Sequence, residues 1–268
     1  MGMLRSSTDV GPPEFLPLAG HPLRWRLLRE LARSDRAVHE LTELVGQPQN
    51  LVSYHLGKLR DGSLVSARRS SADRRDTYYS LELERVGTML SATGGSLHPG
   101  LRLVPAARDN ALIAPVRVLF LCTGNSARSP MAEALARARS GGTIEAHSAG
   151  SHPRPLHPNA VRVMQDEYGL DLAAQTPTRL AAIAGQRFDW VISLCDRVRE
   201  VCPEFPGQPE TVHWSIANPA TGEADDITYP LFAQTAAELA NRIEFLLAVL
   251  ASQPPAPDRQ GEIHDRPQ

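Results

Sequence analysis

Three cysteines carry the chemistry open to this sequence: Cys122, Cys195 and Cys202, all from residue 122 onward. Cys122 ends an apolar, β-rich run, Val116-Arg117-Val118-Leu119-Phe120-Leu121. The small residues Thr123-Gly124-Asn125-Ser126-Ala127 follow, then Arg128-Ser129, and Pro130-Met131-Ala132-Glu133 opens a helix. A Cys-x5-Arg-Ser loop between a strand and a helix N-terminus turns its backbone N–H groups inward. With the helix dipole it makes a seat for a tetrahedral dianion. Thr123, Gly124, Asn125, Ser126, Ala127 and Arg128 are therefore expected to bind the oxyanion, Arg128 by forking onto two of its oxygens. The same positive field favours a Cys122 thiolate beneath the anion.

The other two thiols lie in Cys195-Asp196-Arg197-Val198-Arg199-Glu200-Val201-Cys202, beginning at a strand terminus. On a continuous helix, seven residues at ~1.5 Å rise would part them by roughly 10 Å. A disulfide needs Cα atoms within about 7 Å. A Cys195–Cys202 bond thus requires the segment to unwind or loop out. A phosphatase needs no such pair; a thiol cascade does.

Positioning these residues takes two kinds of element. The chain has 268 residues and 42% apolar content, enough for two domains with real cores. No apolar run approaches the roughly 20 residues of a membrane span, and residues 1–13 lack the order of a signal peptide. A soluble cytoplasmic protein without membrane contact is expected, with thiols kept reduced for catalytic or redox work. Charge is uneven. Residues 47–75 hold six Lys/Arg against two Asp/Glu, while residues 115–252 hold 11 against 15. A nucleic-acid face is expected in the first domain only.

Residues 1–19 read as a flexible arm and 20–85 as a DNA-binding domain, α+β and mostly helical. Leu23, Leu27, Leu28 and Leu31 form one helical stripe. A second helix is expected over 36–45, with Val38, Leu41, Leu44 and Val45 inward. After the Gly46-Gln47 turn, a third helix carries Leu51, Val52, Leu56 and Leu59 as its core stripe. Gln49, Asn50, Ser53, Tyr54 and Lys58 fall largely on its other side. Such a helix pair is a helix-turn-helix whose second helix can enter the major groove. Strands over 64–69 and 76–83 flank an arginine-rich tip over 70–75, and Arg68, Arg69, Arg74 and Arg75 make this hairpin a basic wing. These nine residues are the expected DNA contacts.

The stretch from His21 to Leu83 resembles the ArsR family of dimeric bacterial metalloregulators, through Leu51-Val52-Ser53-Tyr54-His55-Leu56-Gly57-Lys58-Leu59-Arg60-Asp61-Gly62-Ser63-Leu64-Val65. The resemblance implies operator DNA as partner and a homodimer formed through the winged helix. Arsenite-sensing members often carry Cys-Val-Cys where this chain has Ala37-Val38-His39, so a soft-thiolate arsenite site is absent from this domain.

Residues 86–114 read as a linker with room for one short helix continuing from the wing, 115–251 as the catalytic domain and 252–268 as a disordered tail. In 115–251 strands and helices alternate, which implies a four-stranded parallel sheet flanked by helices, with ligands at the strands' carboxyl ends. The expected strands cover 116–121, 143–148, 190–194 and 211–214. Helices are expected over 129–140, 157–168 and 230–250.

From Arg117 to Leu250 the chain resembles the low-molecular-weight tyrosine phosphatase superfamily, specifically its thioredoxin-coupled arsenate reductases. The carriers are Cys122 to Ser129, Met131-Ala132-Glu133, Ser148-Ala149-Gly150 and His213-Trp214. The resemblance implies arsenate as substrate and Cys122, Arg128, Ser129, Cys195 and Cys202 as catalytic residues. It further implies a relay of redox-active disulfides, Cys122–Cys195 then Cys195–Cys202, reduced by thioredoxin or a similar dithiol. In that picture Ser129 donates a hydrogen bond to the thiolate and Asn125 orders the loop. No bound cofactor and no metal are expected. In some relatives the counterparts of Asn125, Glu133 and Ser148 help hold potassium, but here Thr178 stands near the place of the completing carboxylate.

One departure concerns acid catalysis. The family's Asp-Pro reads Asn218-Pro219 here, and an amide cannot protonate a leaving group, a contribution of roughly 10²–10⁴-fold. Asp225 or Asp226 could substitute, though no spacing argument favours either. The leading expectation is a repressor fused to an arsenate reductase. The alternatives are a phosphatase fused to a regulator, and a repressor whose second domain senses an oxyanion without turning it over.

Overall fold

The computed structural model describes residues 11–103, 115–222 and 225–252. Helix α1 (Phe15–Ala19) precedes α2 (Pro22–Leu31), whose start is set by Pro22 and by the His21 ring, which accepts the Leu23 N–H. The chain continues through β1 (Arg36–Ala37), α3 (Val38–Val45), α4 (Gln49–Asp61), β2 (Val65–Arg69), β3 (Thr77–Leu81) and α5 (Leu83–Leu97), then a 3-10 turn at Pro99–Leu101. Gly46 ends α3 at φ 60°, a left-handed conformation that glycine adopts freely. The sheet is antiparallel in the order β1-β3-β2, with Arg36 opposite Tyr79 and Val65 opposite Leu81. Leu27, Leu41, Val52, Leu56, Leu59 and Leu64 are fully buried where the three layers of this unit meet.

Several expectations for this half are corrected. The part of the supposed arm that is described contains α1, anchored by buried Phe15 and Ala19. Arg36 and Ala37 belong to a strand because Tyr78 and Tyr79 offer them ladder partners. Leu44 and Leu51 face solvent, and His55 is buried in the stripe instead, with its ring 4.3 Å from that of His21. Much of the expected linker is α5, a full helix lying against α1 and α10. Residues 1–10, 104–114 and 253–268, which hold the rest of the expected arm, linker and tail, lie outside the described residues.

The second half begins with β4 (Val116–Cys122), whose Val118 to Leu121 are fully buried, as a central parallel strand requires. It is followed by α6 (Arg128–Arg139), β5 (Ile144–Gly150), α7 (Pro158–Tyr168), α8 (Leu180–Ile183), β6 (Trp190–Ser193), α9 (Asp196–Glu200), β7 (Glu210–His213) and α10 (Asp225–Ser252). The parallel sheet runs β5-β4-β6-β7, with Cys122 level with Gly150 and Leu121 with Ser193. Its carboxyl edge therefore gathers Cys122, Gly150 and Cys195. Helix α10 starts five residues earlier than expected and tolerates Pro230 inside it; Leu239, Ile243, Leu246, Leu247 and Leu250 are its buried stripe. Among the described residues no helix is long and apolar enough to cross a membrane.

The two halves meet along a polar seam. Asp35, almost wholly buried, accepts from the Ser215 N–H at 2.7 Å and pairs with Arg242 at 3.1 Å. Its own N–H donates to the His213 carbonyl at 2.8 Å. The Ser34 hydroxyl accepts the His213 N–H at 3.0 Å, and Tyr78 packs edge-on against the His213 ring.

Candidate active site

Cys122 sits where β4 runs out, and the loop behind it is shaped by where its carbonyls go. Thr123, Gly124 and Ser126 accept the backbone N–H groups of His152, Arg154 and His157 at 2.8–2.9 Å. With those carbonyls turned outward, the N–H side of the loop faces its centre, the arrangement an oxyanion needs. Asn125 takes the left-handed conformation, φ 42°, and its side chain fixes the turn. Its Nδ2 donates to Ser129 and Ser148 at 2.9 and 2.8 Å, while its Oδ1 accepts the Thr178 N–H at 2.7 Å. Gly150 is required by proximity, since a Cβ there would lie 2.7 Å from the Thr123 carbonyl and 2.8 Å from the Asn125 nitrogen.

The buried Cys122 sulfur lies 3.0 Å from Ser129 Oγ. Ser129 accepts from Asn125 Nδ2 and keeps its own proton free to donate, as a thiolate at Cys122 would need. Arg128 is buried at the start of α6, and one of its nitrogens donates to the Ile216 and Leu194 carbonyls at 2.9 and 3.4 Å. The guanidinium is thereby held from two neighbouring strand ends.

Cys195 is buried at the end of β6, and its Sγ lies 3.3 Å from the hydroxyl of Thr123 in the loop. The structure thus brings the second thiol to the rim of the seat that holds the first. Cys202 lies two residues beyond α9, half-buried, and burial pushes its thiol above the ordinary cysteine range. All three cysteines are free thiols.

Sequence reasoning gave Asp196 no role and noted His213 only as part of the His213-Trp214 likeness. The Asp196 carboxylate is buried and receives His213 Nε2 at 3.1 Å, Ser215 Oγ at 2.7 Å and the Ser71 N–H at 2.7 Å. Burial pushes this carboxyl up, but these bonds and that from Arg68 outweigh it and hold it well below the usual carboxylate range. An aspartate directly before Arg197, with Arg199 close behind, gave no sign of burial. The only available clue was its place at a strand terminus.

The counterparts of the residues that hold potassium in some relatives have protein partners here. Asn125 Oδ1 is taken by the Thr178 N–H, and Glu133 pairs with Arg137 at 2.5 Å. Burial also pushes the Glu133 carboxyl up, against a hydrogen bond from Ser148. Asn218 is exposed, its amide donating to the Ala220 carbonyl at 2.8 Å. Asp226 is exposed on α10, and the side chain of Asp225 lies outside what is described.

Of the expected DNA contacts, Gln49, Asn50, Ser53, Tyr54 and Lys58 are exposed along α4, and Arg69, Arg74 and Arg75 are exposed on the wing. Arg68 is the exception. It turns into the seam, donating to Asp196 at 2.8 and 3.0 Å and to the Ser215 carbonyl at 3.0 Å, because a buried carboxylate there has no nearer cation.

Comparison with known proteins separates the same two parts. Residues 117–255 match the family described as low molecular weight phosphotyrosine protein phosphatase, and residues 21–67 match bacterial regulatory protein, arsR family. An arsenate reductase of Halalkalibacterium halodurans is 37% identical over 128 residues, 47% of this chain and 91% of that protein. An arsenate reductase of Bacillus subtilis is 34% identical over 128 residues, with the same shares. A solved structure of an arsenate reductase in its oxidised state overlays with a TM-score of 0.44 at 29% identity, covering 50% of this chain and 98% of that one.

Proposed function

Because the chain belongs to the low molecular weight phosphotyrosine protein phosphatase family through residues 117–255, and joins to it an ArsR-family helix-turn-helix, we propose that it is a DNA-binding repressor that also reduces arsenate. The observation that carries the reading is the approach of Cys195 to the Cys122 loop, through Thr123 at 3.3 Å, with Cys202 close behind on the same segment. A phosphatase uses the loop alone and has no work for two further thiols.

In this account arsenate enters the loop and its oxygens meet the loop N–H groups and Arg128. The Cys122 thiolate, steadied by the Ser129 hydroxyl, attacks arsenic and expels hydroxide, which leaves as water after taking a proton. The Cys195 thiolate then attacks the Cys122 sulfur. The sulfur–arsenic bonding pair passes to arsenic, which departs as arsenite, two electrons richer, and a Cys122–Cys195 disulfide remains. Cys202 attacks Cys195 in turn, freeing the Cys122 thiolate and leaving Cys195–Cys202. In sum, arsenate and two thiols give arsenite, one disulfide and water. A dithiol protein of the thioredoxin kind reduces the final disulfide. Asn218 weighs against a phosphatase, whose ester leaving group needs a proton; an arsenic-bound hydroxyl is lost with less help.

The exposed row on α4 and the wing arginines support operator DNA as the partner of the first half, in a homodimer formed through that half. The test is steady-state arsenite production, with a dithiol reductant, by wild type and by Cys122→Ser, Cys195→Ser and Cys202→Ser. Loss in all three supports the relay. Retained turnover in the last two, with hydrolysis of an aryl phosphate, would establish a phosphatase instead.

A further inference from the structure

The DNA-binding half has no cysteine, yet it grips the segment that joins Cys195 to Cys202. Asp196, next to Cys195, receives Arg68 from β2 and both the N–H and hydroxyl of Ser71 from the wing, the latter two at 2.7 and 3.0 Å. Arg197 donates back to the Ser71 carbonyl at 3.1 Å. Arg199, midway between the cysteines, pairs with Glu40 of α3 and donates to the Tyr78 hydroxyl of β3 at 3.0 Å, with its guanidinium 5.4 Å from that ring. Three of the five residues of α9 are therefore held by the other half of the molecule.

Those contacts belong to the helical form of α9. A Cys195–Cys202 disulfide requires that form to give way. The five residues of α9 alone span roughly 7.5 Å at ~1.5 Å rise. The two cysteines lie beyond its opposite ends, and the bond tolerates about 7 Å between Cα atoms. We infer that Arg68, Ser71, Glu40 and Tyr78 are positioning residues for the relay, and that the docked wing and the Cys195–Cys202 disulfide exclude one another. The inference rests on the relay reading above. Each thiol loses one electron and one proton when the bond forms, the electrons having gone to arsenic through Cys122. The chemistry at Cys122 is thereby read out as order or disorder of the wing. Coupling of this kind is reciprocal: whatever undocks the wing favours the disulfide by the same factor.

The test uses the full chain, taken through one turnover with arsenate and no reductant. Disulfides are mapped by thiol alkylation and mass spectrometry, and hydrogen exchange is followed over residues 65–81. Once Cys195–Cys202 has formed, the wing amides should exchange about tenfold faster than in the reduced protein, while those of α4 stay unchanged. Glu40→Gln keeps an acceptor for the Ala37 N–H, so α3 retains its cap, but loses the charge facing Arg199. It should form Cys195–Cys202 about fivefold faster than wild type, the scale of a partly exposed ion pair, with Cys122 alkylation unaltered. A disulfide that forms while wing exchange and the Glu40→Gln rate match their controls overturns the coupling and spares the relay. Absence of any Cys195–Cys202 disulfide overturns the relay reading and the coupling with it.

Discussion

Arg68, at the end of a wing strand, donates to both oxygens of Asp196, the residue that follows Cys195. An arginine that a basic hairpin would offer to DNA is turned into the protein, onto a carboxylate 1% exposed. The pair joins positions 128 apart in sequence and makes the reductase half a scaffold for the wing.

Asp196 should be a large single contributor to the seam. Burial raises its carboxyl, and the bonds from His213, Ser71, Ser215 and Arg68 more than reverse this. A depressed carboxyl contributes stability that is complete above the unfolded value of about 3.9 and lost as pH falls through the lower folded value. Asp196→Asn should therefore cost roughly 3 kcal/mol in chemical denaturation at pH 7. The same difference should appear at pH 5 and shrink only in stronger acid. A difference between the two proteins that already shrinks between pH 7 and pH 5 would show that Asp196 is not the group involved.

The raised Cys202 thiol sets the pH dependence of the last exchange. Only the thiolate attacks, so formation of Cys195–Cys202 should quicken by about tenfold per pH unit below that raised value. Rapid-quench measurement between pH 6.5 and 8.5 checks this, and a flat profile would move the slow step away from Cys202.

Gly150 should not accept a side chain. Its Cβ would press on the Thr123 carbonyl and the Asn125 nitrogen and shift the loop. Gly150→Ala is expected to lower kcat/KM for arsenate on the order of a hundredfold, the usual cost of misplacing a reacting group by about 1 Å. Wild-type kinetics in this variant would mean that the loop has slack the packing denies.

Asn218→Asp restores a carboxyl where the family has its acid. Aryl phosphate hydrolysis should rise by about a hundredfold, within the range that acid catalysis supplies, and arsenate reduction should not change. No gain in hydrolysis would place the barrier elsewhere than in leaving-group protonation.

The anion loop was legible in the sequence because its residues are contiguous, from Cys122 to Ser129, even though most of their hydrogen bonds run to other segments. The strands and the three long helices of the second half were legible from their periodicity, with bounds correct to about five residues, but the short helices α8 and α9 were not expected. Face assignment on α4 failed at one position. Leu51 reads as core but faces solvent, and His55, assigned to neither face, is buried with its ring 4.3 Å from that of His21. The seam was not legible at all. Asp35, Glu40 and Asp196 lie among polar neighbours, where a charge reads as solvated, and their partners are more than 100 residues away. Helix α5 was hidden by Gly87, Gly94 and Gly95, which weaken a helical pattern that packing against α1 and α10 sustains.

The central claim is that Cys195 attacks Cys122 and that Cys202 completes the exchange. Its most direct measurement is disulfide mapping of Cys202→Ser after one turnover with arsenate. The account predicts one equivalent of arsenite and a trapped Cys122–Cys195 bond, with no second turnover. Continued arsenite production by this variant, or a Cys122 thiol still free after arsenite has formed, would contradict it.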